Sequence, residues 1–264
     1  MAFRLWSELS ADDLKTLVDD ATVALLPVGA IEQHGPHLPL STDTTLAEGI
    51  ALEAAKRVEG AQVLVLPPVA VAKSDEHTGF PGVLTLDAAT LQAVLMQIGR
   101  SVARSGIRRL VFLNAHGGNV PVLQIAARAL RLEEEMFCVA AGWMSMGYPP
   151  GLIPEEELRD GIHGGLVETA AMLHLRPDLV SMEKAKNFVP ASRAVAQSND
   201  VLRLLGPVST GWTMKDLNAD GAAGNAALAT PETGKALVEH AATRYARLLE
   251  EVARYAIPFG APRV

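Results

Sequence analysis

A single cysteine, Cys138, stands in 264 residues. That excludes an internal disulfide and any metal site built from several thiolates. Basic charge is also short. Twenty-three Lys and Arg against 30 Asp and Glu leave a net charge of −7, the wrong sign for a nucleic-acid-binding face. No apolar run approaches the ~18–20 residues a membrane span needs; the strongest, 23–31, contains Pro27 and Gly29. The opening MAFRLWSELSADDL has no signal-peptide apolar core, so a cytoplasmic protein without a membrane partner is expected. Gly-x-Ser-x-Gly elbows, P-loops, repeats and linkers are also missing. What is present is ample core material, 49% apolar residues, and a length that suits one domain over 1–264 better than two.

Strand-length apolar runs alternate with helical spacing. Residues 22–28 and 63–71 read as buried strands, the second bent or ended at Pro67-Pro68, and 109–113 and 136–141 as a third and fourth strand. Helices are expected near 10–19, 45–58, 87–104, 120–135, 165–175 and 230–255. Asp87 and Thr230 are their clearest caps, and Ser105-Gly106 and Pro177 their clearest stops. Residues 178–220 look irregular, and the acidic runs 133–135 and 155–157 read as solvated helix surface. Cys138 falls in an apolar strand and reads as a buried core thiol. The alternation implies βαβ units and an α/β fold with a mostly parallel sheet covered on both faces.

Only seven histidines occur, and five of them (His34, His37, His77, His116, His163) lie within two residues of a glycine. Glycine is disfavoured inside helices and strands, so these histidines belong to loops, where function concentrates. Two expected strands run directly into such loops, one carrying Glu32, His34 and His37, the other Asn114, His116 and Asn119. Ligands of parallel sheets bind beyond the carboxyl ends of the strands. Glu32 and His34 are two apart, which aims both side chains the same way in extended backbone. Asp43 follows nine residues later, and His163 precedes a helix carrying Glu168 among apolar neighbours. Three carboxylates and three imidazoles without a thiolate suit Zn²⁺, Mn²⁺ or Fe²⁺, and so many carboxylates suit two ions sharing one acid. Each residue alone has a plainer use. Asp43 fits a helix cap, His116 a satisfied core histidine, Asn114 and Asn119 turn or capping residues, and Glu168 a salt bridge to an arginine.

The stretch from Gly29 to Thr44, GAIEQHGPHLPLSTDT, resembles the signature of the creatininase (creatinine amidohydrolase) family. HTGFPG from His77, NAHGGN from Asn114 and HGGLVET from His163 resemble its later motifs in the same order. The likeness runs over about residues 20–235. It implies a three-layer α/β/α fold, commonly a homohexamer, that hydrolyses C–N bonds at a dinuclear metal centre. Glu32, His34, Asp43 and His116 resemble the family's metal ligands, with Asp43 as the bridge. His163 resembles its catalytic histidine, and His77 matches a motif near the substrate. Creatinine-hydrolysing members carry a glutamate two residues after the equivalent of His116, where this chain has Gly118; Glu168 would supply the missing carboxylate. They also have a tryptophan shortly before the equivalent of His163, absent here from 158–162, so creatinine is not the expected substrate.

The resemblance implies a metal-dependent amidohydrolase of a small amide. Two divalent ions (Zn, Mn or Fe) would make hydroxide available at neutral pH, and His163 would pass a proton to the leaving nitrogen. Trp143, Trp212 and Asn119 are the available substrate-facing candidates beside His77, and the loops 142–162 and 187–225, including 220–225, would set specificity. Related alternatives are a formamide deformylase, a lactonase or a small-peptide peptidase. An alternative of another class is a metal-holding subunit without catalysis.

Overall fold

Six consecutive buried residues make strand β2 (Val23–Val28) the centre of the molecule. The structure, a computed structural model, describes residues 3–206, 208 and 210–257. The ends of the expected 1–264 domain and residues 207 and 209 of the 187–225 loop lie outside the described residues. On one side of β2 runs β3 (Val63–Val65) and then β1 (Phe3–Leu5); on the other, β4 (Arg109–Asn114) and then β5 (Phe137–Gly142). All four pairings are parallel.

The alternation of side chains along β2 divides the core into two layers. Val23 and Leu25 pack with the helices α2 (Thr42–Arg57), α6 (Leu166–Leu175) and α9 (Pro231–Arg254). Ala24, Leu26 and Val28 pack with α3 (Ala88–Arg104) and α4 (Val120–Glu133) on the opposite face, where α1 (Ala11–Leu17) also leans in through Leu14. The architecture is therefore α/β/α around a parallel sheet. From β2 the chain crosses to β3 on one side, whereas from β4 it continues to β5 on the other. The connections part above β2 and β4, and their carboxyl ends flank a crevice that nothing in the sheet fills.

Several expected boundaries shift for local reasons. The second strand stops at Val65, because Pro67 and Pro68 cannot donate to a ladder; one isolated bridge, Val28 to Val69, follows them. Helix α2 opens at Thr42, three residues before the expected start. Ser41 takes the cap position and Asp43 lies inside the first turn, so the cap reading of Asp43 does not hold. The stretch 178–220 is less irregular than its pattern suggests. It contains α7 (Ala191–Ser198), none of whose residues is buried, and α8 (Met214–Leu217), opened by a Thr213–Asp216 capping box. Its strand β6 (Asn187–Phe188) pairs antiparallel with β7 (Gly224–Asn225). The acidic run 155–157 is only partly solvated surface: it begins α5 (Glu155–Asp160), and Glu157 is buried.

Helices α6 and α9 cross at closest approach through Gly234. A Cβ at that position would run into the carbonyl oxygen of Ala170 on α6. Because the obstacle is backbone, the helices must separate to admit a methyl group. Gly234→Ala is expected to destabilise the fold by ~1–3 kcal/mol or more, read as a lowered denaturant midpoint at unchanged slope; an unaltered midpoint would show that the crossing yields freely.

Candidate metal centre

The loop that leaves β2 delivers Glu32 and His34 to the crevice, and the first turn of α2 returns Asp43 to it. The loop after β4 brings His116, and α6 with the residues before it brings His163 and Glu168. Glu32 and His34 are 0% exposed, Asp43 1%, His77 2%, Glu168 4%, His116 6% and His163 7%. Seven residues separated by up to 136 positions thus share one nearly dry volume. His34 Nε2 lies 3.1 Å from Asp43 Oδ1 and 3.8 Å from both Glu32 Oε1 and Glu168 Oε2. His116 Nδ1 lies 3.2 Å from Glu32 Oε1 and 3.4 Å from Asp43 Oδ2. His77 Nε2 and His163 Nδ1 each lie 3.5 Å from Glu32 Oε1.

Outer hydrogen bonds decide which ring nitrogens carry hydrogen. His34 Nδ1 faces the Glu32 carbonyl oxygen at 3.2 Å and His163 Nε2 faces that of Gln33 at 2.6 Å. A carbonyl only accepts, so those nitrogens donate; His163 Nδ1 turns a lone pair inward, whereas His34 Nε2, facing Asp43 Oδ1, carries the proton that an ion would replace. The Gly35 N–H donates to Gln33 Oε1 at 2.9 Å, which fixes the amide so that Gln33 Nε2 donates to His77 Nδ1, also at 2.9 Å. His77 Nε2 therefore bears a hydrogen, aimed at Glu32. His77 sits within the cluster as a donor, its ring centroid 4.3 Å from that of His163.

The outcome is a surplus of acceptors. Both Glu32 oxygens and Asp43 Oδ2 are buried without a well-formed hydrogen bond, and the bare His163 Nδ1 faces Glu32. Burial alone would lower the His34 imidazole, but Asp43, Glu168 and Glu32 reverse the sign and raise it to about 10. Burial pushes Glu168 up to about 7 against the pull of His34. His163 is held well below its ordinary value by burial and by His34 and His77. Protons offset the crowded negative charge in part; a divalent cation would do so at the same points, with nitrogen and oxygen donors of the kind Zn²⁺ and Mn²⁺ take. Glu32, His34 and Asp43 offer ligand atoms within 4.8 Å of one another, as do His34, His163 and Glu168, and Glu32, His77 and His163.

The remaining candidates take other places. Asn119 is wholly buried, and its amide donates to Gly29 O and Asn114 Oδ1 and accepts from Lys73 N–H. It ties three loops together, where a substrate-facing place was expected. Trp143 lies in the core layer of α2, α6 and α9, 2% exposed, and its indole nitrogen has no hydrogen-bond partner. Trp212 packs half-buried with Phe80 and Ile162. His37 shapes the first loop through Thr169 Oγ1, 2.9 Å away, and a stacked Phe188. Residues 220–225 clasp the site, as Ala223 exchanges backbone hydrogen bonds with His163 on both sides. Cys138 is half-buried, its thiol pushed up to about 12 by burial.

Sequence reasoning missed Gln33, Glu76, Tyr148 and Glu157. Glu76 lies 3.3 Å from His116 Nε2. The Tyr148 phenol, pushed up to about 12 by burial, feels the charges of Glu168 and Glu157. Glu157 accepts from the N–H groups of Leu166 and Asn225, each at 2.7 Å. Gln33 and Glu76 each adjoin a chosen residue in the chain, the one signal that could have found them.

A family model for creatininase (creatinine amidohydrolase) matches residues 7–249. The mycofactocin precursor peptide peptidase of Mycolicibacterium smegmatis is 38% identical over 175 residues, 65% of this chain and 65% of that protein. The chain thus spans just under two thirds of that relative's length. The creatinine amidohydrolase of Pseudomonas putida is 38% identical over 186 residues, 64% of this chain and 70% of that one. A solved manganese creatininase matches with a TM-score of 0.76 at 28% identity, covering 94% of this chain and 97% of the other, which agrees with the three-layer fold. No helix among the described residues is long and apolar enough to cross a membrane.

Uptake of a divalent ion must displace the protons held on His34 and Glu168. Apparent affinity for Zn²⁺ is therefore expected to rise with pH through 6 to 8, about tenfold per pH unit for each proton displaced. Adding Zn²⁺ to weakly buffered protein should release acid. Binding that is flat with pH would show that these two groups do not meet the ion.

Proposed function

The chain belongs to the creatininase family, and from that premise we propose that it is a hydrolase of small amide C–N bonds working with two divalent ions, Zn, Mn or Fe. Asp43 carries the proposal. Its Oδ1 is directed to His34 and its Oδ2 to His116, the disposition a carboxylate needs to bridge two ions. Glu32 and His116 would complete one donor set, His34 and Glu168 the other. Ions bound there would supply a water acidic enough to act as a nucleophile near neutral pH and a Lewis acid for the amide carbonyl.

His163 would carry the proton. Its Nε2 is tied to the Gln33 carbonyl, so exchange takes place at Nδ1, on the inward side of the ring. An imidazole held neutral by its surroundings takes a proton and hands it on to the leaving nitrogen. Ala223 grips the His163 backbone from both sides and fixes that nitrogen in place. His163, His116 and Glu168 retain the little exposure the site has, so substrate would arrive on their side. The departures at Gly118 and 158–162, with the likeness to a precursor-peptide peptidase, favour a peptide or formyl amide over creatinine.

His163→Ala is expected to keep its metal and to lose ~10²–10⁴ in kcat. His163 also offers a ligand atom within 4.8 Å of those of His34 and Glu168; loss of an ion from the variant would make it a ligand instead. Asp43→Asn should come out of dialysis short of at least one ion by elemental analysis, and a full complement there would rule out the bridge. Turnover against creatinine, formamides and short peptides, with and without added Zn²⁺ or Mn²⁺, tests the activity itself. A fully loaded protein that cleaves none of them would oppose it.

A further inference from the structure

His116 is held from behind. While Nδ1 faces Glu32 and Asp43, Nε2 points the other way, to the Lys73 carbonyl oxygen at 2.9 Å and to Glu76 Oε1 at 3.3 Å. Both neighbours are acceptors, so Nε2 keeps its hydrogen and Nδ1 is the nitrogen left to hold an ion at the centre. The Glu76 side chain is 14% exposed, and Lys73 Nζ holds its other oxygen at 3.0 Å. Lys73 thus contributes its carbonyl to the imidazole and its ammonium to the carboxylate beside it. The Lys73 backbone N–H is in turn fixed by Asn119, which belongs to the loop of His116. Burial opposes the charge on Glu76, but His116 and Lys73 hold its carboxyl well below the usual range.

Gly118 makes room for this arrangement. A Cβ there would strike Glu76 Oε1, His116 Nε2 and the Lys73 carbonyl oxygen, the three atoms of the cluster. The Gly118 φ lies outside the left-handed region, so space, not backbone conformation, is what calls for glycine. In the chain's own geometry, a carboxylate behind His116 and a side chain at 118 exclude one another.

Resting on the metal-centre reading above, we infer that Glu76 is a positioning residue for the metal ligand His116 and that Gly118 is the gap that admits it. A carboxylate behind a ligating imidazole fixes its tautomer and ring orientation and raises its basicity, and losing it typically costs ~10–100-fold in metal affinity. Glu76 touches neither ion nor substrate; its effect passes through the His116 ring.

Zn²⁺ competition against a chromophoric chelator tests this on the full chain, together with the visible spectrum of the Co²⁺-loaded protein. Glu76→Ala is expected to weaken Zn²⁺ binding ~10–100-fold and to shift the Co²⁺ bands. Glu76→Gln, which keeps an oxygen for Nε2, should recover part of both. Gly118→Ala leaves Glu76 in place but forces the cluster apart, and should move affinity and spectrum in the same direction. Combined with Glu76→Ala it should add less than its own full effect, because both act on one contact. Should Glu76→Ala fail to fold, Glu76→Gln and Gly118→Ala carry the same readouts. Wild-type affinity and spectrum in the Glu76 and Gly118 variants, with Asp43→Asn losing metal, would overturn the role of Glu76 and leave the metal centre standing. A wild-type protein that takes up neither Zn²⁺ nor Co²⁺ would overturn the centre and this role with it.

Discussion

Like charges and lone pairs packed together out of water are the constraint on which this molecule turns. Glu32, Asp43 and Glu168 converge within a shell that is at most a few per cent exposed. Two carboxylates about 4 Å apart repel by ~1 kcal/mol in water and by ~4 kcal/mol at the effective dielectric of a protein. A buried charge without compensation is among the costliest features a fold can hold. The crevice above β2 and β4 can exist only if a cation or protons occupy it and the surrounding loops resist being pushed apart. Everything around the site serves one of those two needs.

Resistance comes from polar side chains that bind backbone. Asn119 links the loops after β2, β3 and β4. Glu157 caps the amino end of α6 and holds Asn225, next to the segment that clasps His163. Its carboxyl is raised by burial, opposed by those two N–H groups. Beneath them, Gly234 lets α9 pack backbone-close on α6, the helix that carries Glu168. Rigid elements supply position, and the loops between them supply chemistry.

The sequence made four of the five strands and the convergence of the loops legible because each rests on a local pattern, whereas β1 is only three residues long and offered no run to read. Residues 22–28 have the length and unbroken apolar run that suit a doubly buried strand, and Glu32 and His34 are spaced for extended backbone. Residue types alone assembled the cluster, and family likeness assigned roles within it. What stayed hidden depends on long-range placement. Glu157 sits in an acidic run that looks solvated until α6 and residues 224–225 close over it. Asn119 looks available to a substrate until its amide meets Gly29, Asn114 and Lys73. Gln33 and Glu76 lie beside conspicuous neighbours and show no period of their own. The short helix α7 spaces Ala191, Ala194 and Val195 on one face for barely two turns and buries none of them, which left its pattern too brief to stand out.

Gln33 joins two histidines whose hydrogens point in different senses. Its carbonyl takes the outer hydrogen of His163, and its side-chain amide gives one to His77. The amide can give only because the Gly35 N–H occupies its oxygen. Direction therefore enters the network at a backbone group that cannot change its state, and passes outward one bond at a time. Exchanging the Gln33 side-chain nitrogen for oxygen would alter hardly any volume, yet it would reverse the sense of the wire. His77 would then have to carry hydrogen on the side facing residue 33 and turn a bare nitrogen toward Glu32. A near-isosteric glutamate at this position would place acceptors on both sides of an imidazole that now lies between a donor and an acceptor.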